Sequence, residues 1–296
     1  MTVTFTPKDI VHPADETALK ALNAIPGFKM IAEKALENIF ERQILVENMS
    51  NYIRLNDKQL PEIYGLLPPI CKTLDIPVPD LFLSSDPWPN AYTVGNTRCC
   101  VVLTSGLLEI LEFDEIASVL AHECGHIYHK HCLYHTIGHY LGSGIMSWLA
   151  WIPGVTDAVA LSLNTWRRMS ELSADRVEAL VMGTPKKPIA VLSKLAGGIG
   201  WLSPRYSINN EEIQQQVRDF HDLSQHADLK GWENLSAAFR SHPFYIRRIQ
   251  ELSTWCRTPV FSRYCRELGI IVCQHCETLL KSDDRFCPNA ECARPQ

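Results

Sequence analysis

Apolar residues recur at three- and four-residue steps in "ETALKALNAI", "FKMIAEKALENIFERQILVENM" and "KQLPEIYGLLPPICKTL", the period of helices that bury one face. Pro26-Gly27 marks a turn between the first two. Between residues 80 and 104 the texture changes to "LFLSS", "AYTV" and "CCVVLTS", short β-branched runs parted by Pro, Asn and Gly, which predict strands of a small sheet. Helical spacing returns in "EIASVLAHECGHIYHKHCLYH", with Asp114 the expected N-cap and Glu115 opening an acidic first turn. Helices then dominate to about residue 256, through "NTWRRMSELSADRVEALVM" and "PFYIRRIQELSTW". The pattern predicts a mainly α (α+β) chain without internal repeats.

Residues 140–166, "YLGSGIMSWLAWIPGVTDAVALSLNTW", carry Asp157 as their single charge. The stretch is long enough to span a bilayer, but Pro153 and Gly154 interrupt it and predict two shorter helices instead.

Composition narrows the class. With 46% hydrophobic and 21% charged residues among 296, the chain can build a sizeable core and is not of disordered type. A net charge of -5 and the lack of any Lys/Arg run exclude nucleic acid as a partner. The N-terminus "MTVTFTPKDIVHPADE" lacks the basic start and apolar run of a secretory signal, so a cytoplasmic location is expected. There, eleven cysteines are thiols or metal ligands, not disulfides.

His122, Glu123 and His126 spell H-E-x-x-H inside a helical pattern. Two histidines four apart project from one face about a turn apart, so both rings reach one zinc ion, and Glu123 stands where a carboxylate acts as general base toward a zinc-activated water. The run "IASVLA" before the motif makes this a core helix, and Gly125 within it leaves room for a close neighbour. A catalytic zinc needs a third protein ligand. The pattern H-x-x-G-x-x-H from the second motif histidine is excluded, because His129 and Cys132 stand at its Gly and His positions. "RRMSELSADRVEAL" offers Glu171, Asp175 and Glu178. Glu171 and Asp175 share a helix face, which lets one bind zinc while the other orients a ligand histidine, with Glu178 a further turn away; the choice made is Glu171 as ligand and Asp175 as orienter.

"NAYTVG", "LTSGLLEIL", "FDEIASVLAHECGHIYHKH", "RMSELSADR" and "SHPFYIRRIQEL" resemble, in order and spacing over about residues 78–255, the HtpX and CAAX prenyl protease family of zinc metallopeptidases, of gluzincin type. The resemblance implies a zincin-like helical fold with a small sheet at the active-site edge. It places the third ligand on Glu171 and the helix-borne aspartate on Asp175. It further implies that Asn90 and Ala91 lie on an edge strand that pairs with a peptide substrate, that His242 stabilises the oxyanion, and that Arg247 supports the site. This chain lacks the flanking spans of the family's membrane-embedded members. Because the helices on either side of residues 136–166 must meet at one metal, only an even number of crossings or none is allowed, and two spans need about 40 apolar residues. The segment is therefore expected to be buried; the competing expectation is a hairpin resting on the inner face of a membrane.

The further histidines His129, His131, His135 and His139 read as packing and surface residues, and Cys124 as a small core residue. The tail "CQHCETLLKSDDRFCPNAEC" sets Cys273, Cys276, Cys287 and Cys292 as two close pairs, the donor set of a four-cysteine structural zinc. A unit this small depends on its metal to fold. It resembles a zinc ribbon, a module that docks partners or substrates. The expected organisation is an N-terminal helical region (1–77), a metallopeptidase domain (78–265) and the ribbon (266–296). The expected activity is that of a zinc metalloendopeptidase acting on peptides or proteins, with two zinc ions per chain. The alternative is a non-catalytic zinc-binding adaptor working through its ribbon.

Overall fold

The structure, a computed structural model, describes residues 6–25, 28, 41–142, 155–197, 209–225, 244–272 and 279–280. His242 and the four tail cysteines lie outside the described residues, as do positions 143–154 of the apolar segment. The helices are α1 (Pro7–Ile10), α2 (Pro13–Asn23), α3 (Glu41–Asn51), α4 (Pro61–Tyr64), α5 (Leu67–Leu74), α6 (Ser105–Ile110), α7 (Phe113–Tyr128), α8 (Cys132–Gly142), α9 (Val155–Met182), α10 (Lys186–Gly197), α11 (Asn210–Ser224), α12 (Tyr245–Trp255) and α13 (Pro259–Glu267). Strands β1 (Ile53–Leu55), β2 (Asp80–Ser84), β3 (Ala91–Val94) and β4 (Cys100–Thr104) form one sheet in the order β1-β2-β4-β3. β2 and β4 are parallel; β1 and β3 pair antiparallel with them. The chain is thus mainly helical with a small sheet, as its pattern predicts.

The sheet is covered on both faces, which explains the unbroken apolar run of β4. Leu81, Val101 and Leu103 face a core shared with α5 and α7, while Phe82 and Val102 face Leu133, Ile137 and Trp166 from α8 and α9. The stretch expected to run helical from residue 58 to 74 is divided, because prolines at the first turns of α4 and α5 each begin a new helix rather than continue one. β1 escaped the sequence reading, being three residues long with only Leu55 buried.

α7 begins two residues earlier than Asp114 suggests. Its N-cap is Glu112, in a capping box with Glu115, and Asp114 instead pairs with Lys187 of α10. Glu115 also meets Lys194 at 2.6 Å, tying the start of α7 to α10. At the other end of the chain, α2 docks on α9: the backbone N–H of His12 donates to Ser173 at 2.9 Å and Arg176 donates to the carbonyls of Ile10 and Val11. No helix among the described residues is long and apolar enough to cross a membrane.

Candidate active site

The site lies where α7 and α9 cross. Gly125 makes this crossing close: a Cβ there would stand 3.0 Å from the Ala174 Cα and 3.1 Å from its carbonyl oxygen. The gap read in the sequence at Gly125 is filled by the backbone of α9. Helix periodicity then turns His122 and His126 of α7 toward Glu171 of α9, all three buried. His122 Nε2 is 3.4 Å from Glu171 Oε2, and His126 Nε2 is 3.6 Å from Oε1. Donors each about 2.0–2.1 Å from a tetrahedral zinc ion lie about 3.3 Å apart, so this set fits zinc with small closure.

The far nitrogen of each histidine is also engaged. His122 Nδ1 is 3.1 Å from Asp175 Oδ1 and 3.5 Å from Glu178 Oε2. Arg248 of α12 forks onto Asp175 at 2.6 and 2.9 Å and reaches Glu171 at 3.1 Å. Ser118 donates to Glu178 at 2.6 Å. Burial opposes a charge on His122, yet its hydrogen bonds to Asp175, Glu171 and Glu178 prevail and push its pKa well above the ordinary value. Carboxylates that favour a proton there favour a metal cation equally. Burial and the neighbouring His135 push His126 the other way, keeping it neutral with a lone pair to offer. Against burial, the charge of Arg248 holds Asp175 below the usual carboxylate range, whereas burial raises Glu178. His122, Asp175 and Glu178 also cluster closely enough for a metal, but Arg248 already pairs with Asp175 and Ser118 donates to Glu178.

The arginine differs from expectation. Arg248, not Arg247, enters the carboxylate cluster; Arg247 is half-buried, about 100° round α12. Asp175 stands beside His122, at the position its spacing from Glu171 suggested. Glu178, one turn further on, joins it through the same helical phase. His131 departs from its reading as a packing or surface residue. It is buried, its Nδ1 lies 3.0 Å from His126 Nδ1 and its Nε2 3.1 Å from Asp15 Oδ2. Cys124 is fully buried on the opposite side of α7, its sulfur 3.9 Å from that of Cys71.

Glu123 points into a cavity of about 360 Å³ lined by β3, α7, α10 and the start of α12. Thr93 Oγ1 of β3 donates to Glu123 Oε2 at 2.5 Å, a contact without a sequence signature. β3 is an edge of the sheet. Thr104 N–H donates to the Asn90 carbonyl at 3.0 Å, and the Asn90 N–H donates to Thr104 Oγ1 at 2.9 Å, so both main-chain groups of Asn90 face inward. By the alternation of an antiparallel ladder, Ala91 and Thr93 turn theirs to the open side. Of the two positions expected to meet substrate, only Ala91 has the orientation for backbone pairing.

Two histidines and a glutamate on crossing helices, with a second glutamate beside them under an edge strand, define a metallopeptidase of the H-E-x-x-H kind. The chain belongs to Peptidase family M48, whose profile matches residues 61–256. It is 32% identical over 254 residues to the plastoglobule-localized metallopeptidase 48, chloroplastic, of Arabidopsis thaliana, covering 84% of this chain and 73% of that protein. It is 29% identical over 222 residues to protease HtpX homolog 1 of Streptomyces coelicolor, covering 66% of this chain and 71% of the other. No solved structure matches. The HtpX-type resemblance and the assignment as a metalloprotease both stand on these matches.

Proposed function

We propose that the chain is a zinc-dependent endopeptidase whose ligands are His122, His126 and Glu171. The observation that carries this reading is the convergence of three buried donors at tetrahedral spacing, with a carboxylate on the far nitrogen of His122. When bound, zinc supplies a Lewis acid that polarises the scissile carbonyl and acidifies water. The protein does the rest. Ala91 and Thr93 hold an extended substrate by its backbone along β3. Glu123 takes a proton from the attacking water and returns it to the leaving amine, and Thr93 fixes the carboxylate for both transfers. Asp175 and Arg248 keep His122 in the orientation that presents Nε2. His242 remains the proposed oxyanion donor.

The four tail cysteines are proposed to hold a second, structural zinc. In support, Ile271–Val272 pairs antiparallel with Leu279–Leu280, bracketing the first cysteine pair in sequence. Partner or substrate docking by this unit belongs to the same proposal. Glu123→Gln tests the catalytic reading: zinc content is retained and cleavage of casein is lost. Equal cleavage by wild type and variant overturns the role of Glu123, and a wild type that does not cleave returns the adaptor reading.

A further inference from the structure

His126 is held by a chain of buried polar groups that starts outside the residues matched by the family profile. His126 Nδ1 lies 3.0 Å from His131 Nδ1, His131 Nε2 lies 3.1 Å from Asp15 Oδ2, and Ser173 Oγ donates to that same oxygen at 2.6 Å. Asp15 is buried although it belongs to α2, and its other oxygen has no hydrogen-bond partner among the described residues. A buried carboxylate left half-satisfied is costly to keep, so its retention asks for a role.

Tautomers supply one. A neutral His126 that offers Nε2 to a metal must carry its proton on Nδ1. That proton can only be donated to a bare Nδ1 of His131, which places the His131 proton on Nε2, facing Asp15. The carboxylate, an acceptor only, fixes that arrangement. In the reverse arrangement His131 carries its proton on Nδ1, His126 must carry its own on Nε2, and the lone pair needed for the metal is lost.

We infer that Asp15 and His131 are positioning residues that lock His126 in its metal-binding tautomer, making the N-terminal helix part of the metal centre. The inference rests on the proposed ligand role of His126. His131 and His135 also stand near His126 as a three-histidine cluster. In the inferred tautomer, however, the His126 nitrogen that faces His131 is a hydrogen-bond donor, not a ligand.

Cobalt(II) binding to the full-length chain tests this, because thiolate charge-transfer bands keep any cysteine-bound ion separate from the histidine site. Wild type is expected to show a histidine-site spectrum, and Asp15→Asn to bind at that site about ten-fold or more weakly, the range for loss of a group behind a ligand histidine. Helical circular dichroism of the metal-free variant should be unchanged. Ser173→Ala removes the other hydrogen bond to Asp15 but leaves the histidine chain, and should bind as wild type does. Should Asp15→Asn not fold, His131→Phe, which keeps a ring packed against Trp166, takes its place with the same expected loss. Undiminished affinity in the variant overturns the inference, and so does an equal loss in Ser173→Ala, which would assign the effect to helix docking. A wild type without a histidine-site spectrum overturns the ligand reading itself.

Discussion

Arg248→Leu should remove the cation on which the carboxylates behind His122 depend. Arg248 is buried, and its fork meets Asp175 at 2.6 and 2.9 Å and Glu171 at 3.1 Å. Deleting one partner of a buried ion pair costs about 3–5 kcal/mol, because the remaining charge is left without solvent or counter-ion. Here Asp175 and Glu171 lose their partner together, which argues for the upper end. His122 limits the loss, because its ring stays 3.1 Å from Asp175 and 3.4 Å from Glu171 and still engages both carboxylates. A destabilisation of about 3 kcal/mol is therefore expected, and on the order of 10 °C in Tm for a domain of this size. Urea denaturation in the presence of a chelator, followed by circular dichroism, measures it without contribution from bound metal. Arg248→Lys keeps the charge without the fork and should fall between wild type and the leucine variant. A loss below about 1 kcal/mol, the worth of a solvated surface pair, would refute the buried-cluster reasoning.

Thr93→Val keeps the shape of the residue but removes its hydroxyl from Glu123. A hydrogen bond to a charged group is worth about 1.5–3 kcal/mol, so kcat should fall about ten-fold or more with zinc content unchanged; an unaltered kcat would exclude a role for Thr93 in aligning the base. Asp15 makes the acid limb of stability a further test. Against burial, His131 and Ser173 hold its carboxyl below the ordinary 3.8. The unfolded chain thus binds this proton more readily, and the stability Asp15 contributes is full above about pH 4 and lost as pH falls through its folded value. Asp15→Asn should flatten that fall in urea titrations between neutral pH and pH 3, and an unchanged acid limb would count against the charge–hydrogen-bond pairing.

Where sequence and structure meet depends on how far apart interacting residues lie along the chain. α7 was legible because its apolar spacing and H-E-x-x-H sit in one helix, and α9 because Glu171 and Asp175 lie four apart. β2, β3 and β4 were legible as β-branched runs between turn residues. Choosing between Arg247 and Arg248 needs the rotation of α12 about its axis, which packing against α9 sets. Sequence order alone cannot supply it. Thr93 and Asp15 reach the site from a strand and from the first helices of the chain, and pairings between elements so distant carry no local spacing. The N-cap of α7 falls on Glu112 instead of Asp114 for a smaller reason: both are acidic and near the start, and only the reciprocal bond of Glu115 to the Glu112 N–H selects the former.

The parity of β3 has a consequence for what the protease can cut. With Asn90 turned inward and Ala91 and Thr93 turned outward, the cleft offers two sets of main-chain donors and acceptors and few side-chain instructions. A segment already inside a helix or a sheet has no free amides to answer them. With substrate pairing along β3 as proposed, the entry requirement is a stretch of chain whose own hydrogen bonds have come undone.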